Sequence, residues 1–289
     1  MALTTKRRRA TRRPLALLAA GALAFTLTGC GGADGPAAEP SAAVEKSAAT
    51  TSAHEVVSAA VARSVEDSTA NFSLNLDTTA AGQSISASGN GQLDGERNAM
   101  SMQLTTQVPG QGTLTLQQVV VDGMVYLTGI PGTPQGQWVQ VSLEELGAVG
   151  ASGMTGGSDP SQQLQLLERV SDDVREAGSE KVNGVQATKY TGTIDLDEAA
   201  DVAAEQGAGN ADTLRQQYQK LGLTSIPFEL YVDAEDRPVR MTTTVEATAE
   251  GQPVKAVSTI DFSDWGTDVT IQAPADAVPL SQVAGNSQG

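Results

Sequence analysis

Between residues 72 and 127 apolar side chains recur at every second position. Phe72, Leu74 and Leu76 alternate with Ser73 and Asn75, and Met100, Met102 and Leu104 alternate with Ser101 and Gln103. Leu114 and Leu116 alternate with Thr115 and Gln117 and lead into Val119, Val120 and Val121. Successive side chains of a strand point to opposite faces, so the pattern predicts strands with one apolar and one polar face. Asp122-Gly123 marks a tight turn, and residues 124–127 read as the returning strand of a hairpin. Residues 83–88 and 138–141 are shorter candidates, and Asn183-Gly184 joins two more strands across residues 181–195. The last third is the clearest. Phe228, Leu230 and Val232 form one face, then Val239, Met241, Thr243, Val245 and Ala247, then Val254, Ala256, Ser258, Ile260 and Phe262. Turns at residues 233–238 and 250–253 separate them. One-sided strands in succession predict an antiparallel sheet with one side in water.

Other segments follow a helical period. Val56, Val57, Ala60, Val61 and Val65 predict an amphipathic helix over residues 54–67, with His54 a solvated or capping side chain at its start. Residues 143–149 read as a short helix and residues 150–159 as a Gly-rich loop. A helix opened by Pro160 follows, with Leu164, Leu167 and Val170 on one face. Residues 197–206 and 211–221 predict two further helices. The whole gives nine to eleven strands and four or five helices. The fold class is α+β: a strongly curved antiparallel sheet wrapped over several helices, in one domain over residues 54–275. Two β-rich halves divided near residues 150–159 are the alternative. Residues 276–289 are expected to be a disordered tail.

The N-terminus carries a different signal. Lys6, Arg7, Arg8, Arg9, Arg12 and Arg13 precede a short apolar stretch that ends in Leu27-Thr28-Gly29-Cys30. A basic segment, a short apolar run and small residues before a cysteine predict a lipoprotein signal peptide over residues 1–29, with lipid attached to Cys30. Thr11-Arg12-Arg13-Pro14-Leu15 also resembles a twin-arginine signal, which leaves folded and unfolded export both open. Residues 30–53 are rich in Ala, Gly, Pro and Ser and predict a flexible linker. The expected location is the extracytoplasmic face of the cell membrane, held by the lipid anchor.

Composition narrows the chemistry. The chain has 289 residues and a net charge of −16, which argues against nucleic acid as a partner. One His and one Cys remove most zinc sites and most His-based catalysis, and the cysteine is committed to lipid. The carboxylate groups Asp172/Asp173, Asp195/Asp197/Glu198 and Asp233/Glu235/Asp236 offer acid–base pairs or calcium ligands, but none has the full calcium-loop pattern. The second falls at a helix start and the third in a hairpin turn, and solvated structure accounts for them. No catalytic residue, metal site or cofactor is expected. Aromatics make up only 3% of the chain, too few to fill a wide curved sheet easily. Met100, Met102 and Met241 either line an adaptable cavity wall or pack the core.

The stretch from Glu180 through Asn183-Gly184 to Leu196 resembles actinobacterial lipoproteins of the LppX/LprAFG type. So do Phe228-Glu229-Leu230-Tyr231-Val232-Asp233 with Arg237-Pro238-Val239, and the closing Asp261-Phe262-Ser263-Asp264-Trp265-Gly266. That resemblance implies a half-open, LolA-like barrel over helices that binds acylated lipid or glycolipid and moves it across the envelope. The alternation then offers Leu74, Leu76, Met100, Met102, Leu104, Leu114, Leu116, Met241 and Val245 as the ligand-binding wall. Residues 150–159, with Met154, and the helix bearing Leu164, Leu167 and Val170 are the expected gate. A monomer is expected. The competing expectation is a surface-anchored interaction or sensor module with a closed core.

Overall fold

The computed structural model describes residues 52–80, 82–108, 112–130, 133–143, 145, 160–170, 173–205, 210–249 and 251–286. The leader, Cys30, nearly all of the linker and the 150–159 segment with Met154 lie outside the described residues, as does the side chain of Val170.

Twelve strands form one sheet among the described residues. They are β1 (Thr69–Ala80), β2 (Gln83–Asp94), β3 (Ala99–Val108), β4 (Gly112–Val121), β5 (Met124–Thr128) and β6 (Val139–Ser142). Then follow β7 (Arg175–Val182), β8 (Val185–Asp195), β9 (Ser225–Val232), β10 (Pro238–Ala249), β11 (Gln252–Ser263) and β12 (Val278–Pro279). Their order across the sheet is β12-β6-β5-β4-β3-β2-β1-β11-β10-β9-β8-β7. Two meanders are thus joined where β1 meets β11, from Asn71 opposite Ser263 to Ala80 opposite Val254. Every neighbouring pair is antiparallel except β12 with β6. The sheet stays open, with β12 and β7 as its edges.

Among the described residues five complete helices accompany it: α1 (Ala53–Asp67), α2 (Pro160–Val170), α3 (Leu196–Glu205), α4 (Ala211–Lys220) and α5 (Leu280–Asn286). Local chemistry sets their starts. The Ser52 hydroxyl accepts from the Glu55 N–H, and the Glu55 carboxylate accepts from the Ser52 N–H, a reciprocal cap. Asp195 accepts from the N–H groups of Asp197 and Glu198, and Asn210 from those of Asp212 and Thr213. Asp233 accepts from Glu235 and Arg237 N–H in the β9–β10 turn. Asp173 accepts from the Thr193 N–H and hydroxyl, so each of the three carboxylate groups in the sequence has a member bonded to backbone.

The main core lies between α1–α3 and the inner face of the sheet. Val57, Ala60 and Val61 of α1, Leu164 and Leu167 of α2, and Leu196, Ala199 and Val202 of α3 meet Phe72, Tyr190, Phe228, Leu230, Met241, Ile260 and Phe262. Three of the four phenylalanines are here. Two lie flat across a neighbouring glycine. Phe72 is paired with Gly91 and Phe228 with Gly192. A Cβ on Gly91 would sit 2.6 Å from the Phe72 ring and 2.2 Å from the Ser101 carbonyl oxygen, and one on Gly192 would sit 2.8 Å from Phe228. Glycine at these sites leaves room for each ring to cover its neighbouring strand.

Three features depart from the expected pattern. β7 begins at Arg175, six residues before the expected strand start at 181. Its REAGSEKV sequence is exposed except for Val182, so an edge strand with polar groups on both faces leaves no alternation to read. On the outer face Ile271, only 1% exposed, packs with Ala99, Val121 and Tyr126 as a separate small core. The segment that carries it has no periodic pattern. The chain then continues through β12 and α5 in the region expected to be a tail.

Leu230 is wholly buried at the centre of β9. Leu230→Ala is expected to lower the free energy of unfolding by about 2–5 kcal/mol, measured by urea titration followed by circular dichroism. A loss below about 1 kcal/mol would mean that the inner core is loosely packed there.

Candidate functional site

The inner face can be read in rows across β1–β4. The first row is Phe262, Phe72, Gly91, Met102 and Gln118, each opposite the next. Its side chains are buried. The next row is Ile260, Leu74, Gly89, Leu104 and Leu116, where Ile260 is buried and the three leucines only half-buried. Further along, Leu76 is half-buried, Leu114 is 38% exposed and Ile85 is 42% exposed. All of these point to the same face, because they keep the parity of Phe72 through the register. The apolar surface therefore continues past the point where the helices seal it.

This gradient divides the wall residues expected from the alternation. Met100, Met102 and Met241 are buried in the main core, and Leu74 and Val245 pack against it. Here the methionines are core filling. Leu76, Leu104, Leu114 and Leu116 form the uncovered part, joined by Ile85, which the alternation did not single out. On the other half of the sheet α4 supplies the cover. Tyr218 and Leu223 join Val245 and Ala247 in the main cluster, and the Thr248 N–H donates to the Leu221 carbonyl. Leu164 and Leu167, expected at a gate, are fully buried beneath α2.

The outer face has different chemistry. A cavity of about 450 Å³ lies between the β7–β8 hairpin and strands β1 and β11, lined by Asn71, Asn183, Arg237, Asp261, Asp264 and Trp265 among others. A second, of about 470 Å³, is rimmed by Asn71, Asn90, Gln92, Gln103, Gln117 and Trp138, with Met102 and Gln118 of the buried row also in its lining. Their polar groups largely satisfy one another. Arg240 donates through two nitrogens to Asp261, Asn71 donates to Asp264 at 2.8 Å, and Gln92 donates to Asn71 at 3.0 Å. Asp67 holds both Arg63 and Arg237, which ties the end of α1 to the β9–β10 turn. Trp265 Nε1 donates to the Pro238 carbonyl, and its ring stacks on Phe262 at 5.4 Å. Lys189 donates to Glu229, a bond that raises its pKa. The first cavity also carries Phe72, Val182, Val185, Val239 and Phe262 in its lining, so its walls are mixed, whereas Leu76, Ile85, Leu104, Leu114 and Leu116 form a uniformly apolar strip. The inner strip is the apolar candidate.

No family model matches the chain. By architecture it is an α+β protein with a large open antiparallel sheet and helices on its inner face. Solved structures that resemble it include the lipoprotein LppX of Mycobacterium tuberculosis, at 14% identity and a TM-score of 0.44, covering 76% of this chain and 98% of that one. LprF of Mycobacterium bovis resembles it at 16% identity and a TM-score of 0.41, covering 77% and 97%. A LolA superfamily protein of Nitrosomonas europaea does so at 9% identity and a TM-score of 0.27, covering 76% and 96%. A curated relative from Streptomyces griseus, an uncharacterised 31.2 kDa protein of the rplA–rplJ intergenic region, is 33% identical over 147 residues. That match spans 48% of this chain and 46% of the relative, so the chain spans about half the length of the curated relative it matches. Among the described residues no helix is long and apolar enough to cross a membrane.

The Arg240–Asp261 pair yields a pH test. Burial raises the Asp261 pKa, but hydrogen bonds from Arg240 and Asn183 and the Arg240 charge outweigh it and hold the carboxyl below its ordinary value. A group with a depressed folded pKa stabilises above its unfolded pKa and loses that contribution as pH falls through the folded value. Asp261→Asn is therefore expected to cost about 1–3 kcal/mol at neutral pH. The gap between variant and wild type should close as the solution is acidified below the carboxylate range, read from urea midpoints across pH. A gap that stays constant with pH would show that the charge contributes nothing.

Proposed function

We propose that this protein is an extracytoplasmic lipoprotein, anchored in the cell membrane through acyl chains on Cys30. It binds acylated lipid or glycolipid on the inner face of its open sheet and passes it through the envelope without chemical change. The observation that carries this reading is the half-exposed strip of Leu76, Ile85, Leu104, Leu114 and Leu116, continuous with the buried core. Surface apolar residues scattered singly need no account, but a contiguous patch on a concave face marks a binding surface.

The magnitudes suit a carrier. Fully burying a leucine is worth ~1.5–3 kcal/mol, so covering five half-exposed side chains gives roughly 5 kcal/mol. That corresponds to a Kd of roughly 0.2 mM before ordering costs, loose enough for a chain to be handed on. More contact comes if α2 acts as the gate, with Leu164 and Leu167 leaving the core so that a chain can pass beneath. Two or three acyl chains on Cys30 would hold the protein at the membrane, whereas a single chain binds only marginally. The acidic body would be repelled by anionic headgroups, which leaves the tether as the attachment.

Native mass spectrometry of protein extracted gently from its own membranes is expected to show bound acyl lipid. Leu104→Glu and Leu116→Glu should reduce that lipid at least tenfold while moving the unfolding midpoint by less than a core substitution does. Unliganded spectra from the wild type would sink the reading and favour the closed interaction module.

A further inference from the structure

Gln118 stands out on the inner face. It is in phase with Leu114, Leu116 and Val120 along β4, and its cross-strand partners are Met102 and Leu127. It is only 3% exposed, and its Nε2 has no hydrogen-bond partner. A buried amide donor without a partner costs about 1–3 kcal/mol, more than most single interactions contribute, so such groups call for a physical reason. The neighbouring glutamines offer a contrast. Gln117 points to the outer face, where its Nε2 donates to Gln103.

Position suggests what the amide is for. Gln118 lies in the last fully buried row, directly beside the half-buried row of Leu74, Leu104 and Leu116. Leu114, at the open end of the same strand face, is four residues away, or ~13 Å at the usual strand rise. A hydrocarbon chain lying along this strip toward the core would bring to Gln118 an atom well down its length rather than its headgroup. An all-methylene chain leaves the amide unpaired. A chain with an oxygen at that depth satisfies it, since Nε2 can donate to that oxygen.

We infer that Gln118 is a specificity-determining residue that selects acyl chains carrying a hydroxyl or other acceptor oxygen along the chain. The inference rests on the lipid-binding reading and deepens it. Full-length protein, stripped of lipid in detergent, would be offered an equimolar mixture of stearate and a mid-chain hydroxylated stearate. Native mass spectrometry then counts the bound species. Wild type is expected to hold the hydroxylated chain in roughly fivefold excess. Gln118→Leu and Gln118→Met, which keep the volume and lose the donor, should lose or invert that preference. Neither variant should melt lower than wild type without ligand, because removing an unpaired buried amide carries no penalty. Equal loading of both acids by wild type, or a preference that survives in the variants, overturns the inference and leaves the lipid reading standing. If neither acid loads, the lipid reading itself falls and the inference falls with it.

Discussion

The seam between β1 and β11 is the constraint on which the other features depend. Asn71 bonds to Asp264 across 193 residues of chain, and the register of ten paired residues beside that bond aligns both meanders. A slip of one residue along this seam would turn Phe72, Leu74 and Leu76 to the outer face and open the main core. The closure is entropically costly, because the ends of a long chain segment must be brought together before the contacts reward it. The seam is reinforced on both faces. Phe72 and Phe262 sit opposite each other inside, while Thr69, Asn71 and Asp264 bond outside. The aromatic scarcity of the chain is offset here, with its few rings placed where the two halves join.

The same scarcity explains why the inner face is sealed unevenly. Laid over glycines, Phe72 and Phe228 each cover two strands, and α1–α3 bring Val, Ala and Leu down onto them. Past the Phe72–Met102 row no ring is present in β1–β4, and the Leu side chains there stay half-exposed. On the β9–β10 side α4 lays Tyr218 over the equivalent rows. One half of the sheet is thus covered by helices and the other only partly, and the difference lies in the helices.

That division bears on what the sequence could tell. Alternation gave the strands, their faces and the α+β class, because period-two patterning is a local property. It could not separate Met102 from Leu104, two residues apart on one face, since only the placement of α1 and α2 decides which is sealed. β7 was hidden because an edge strand of Arg, Glu and Lys has no apolar face to reveal it. Ile271 was hidden because its partners Ala99, Val121 and Tyr126 lie on the face that the pattern assigned to water. Gln118 was legible in principle. It falls on the even positions that Leu114 and Leu116 occupy, and a polar residue in phase with an apolar face is a detectable signal.

The edges of the sheet show that exposure elsewhere in this protein is managed. Arg175, Glu176, Glu180 and Lys181 charge the outer strand β7, and a bulge between Glu176 and Ser179 breaks its regularity. The opposite edge ends in a two-residue β12 that contains Pro279, which lacks an N–H to offer. Both devices oppose pairing with another chain. Leu76, Ile85, Leu104 and Leu114 have no comparable guard, and no charged side chain interrupts their face of the sheet. A chain that charges and breaks its edges yet leaves a contiguous apolar strip half-exposed is consistent with a strip kept open for an occupant. The concave, inward-facing placement fits a slender hydrocarbon better than a flat protein partner, because a partner's surface would have to enter the curve of the sheet to reach it.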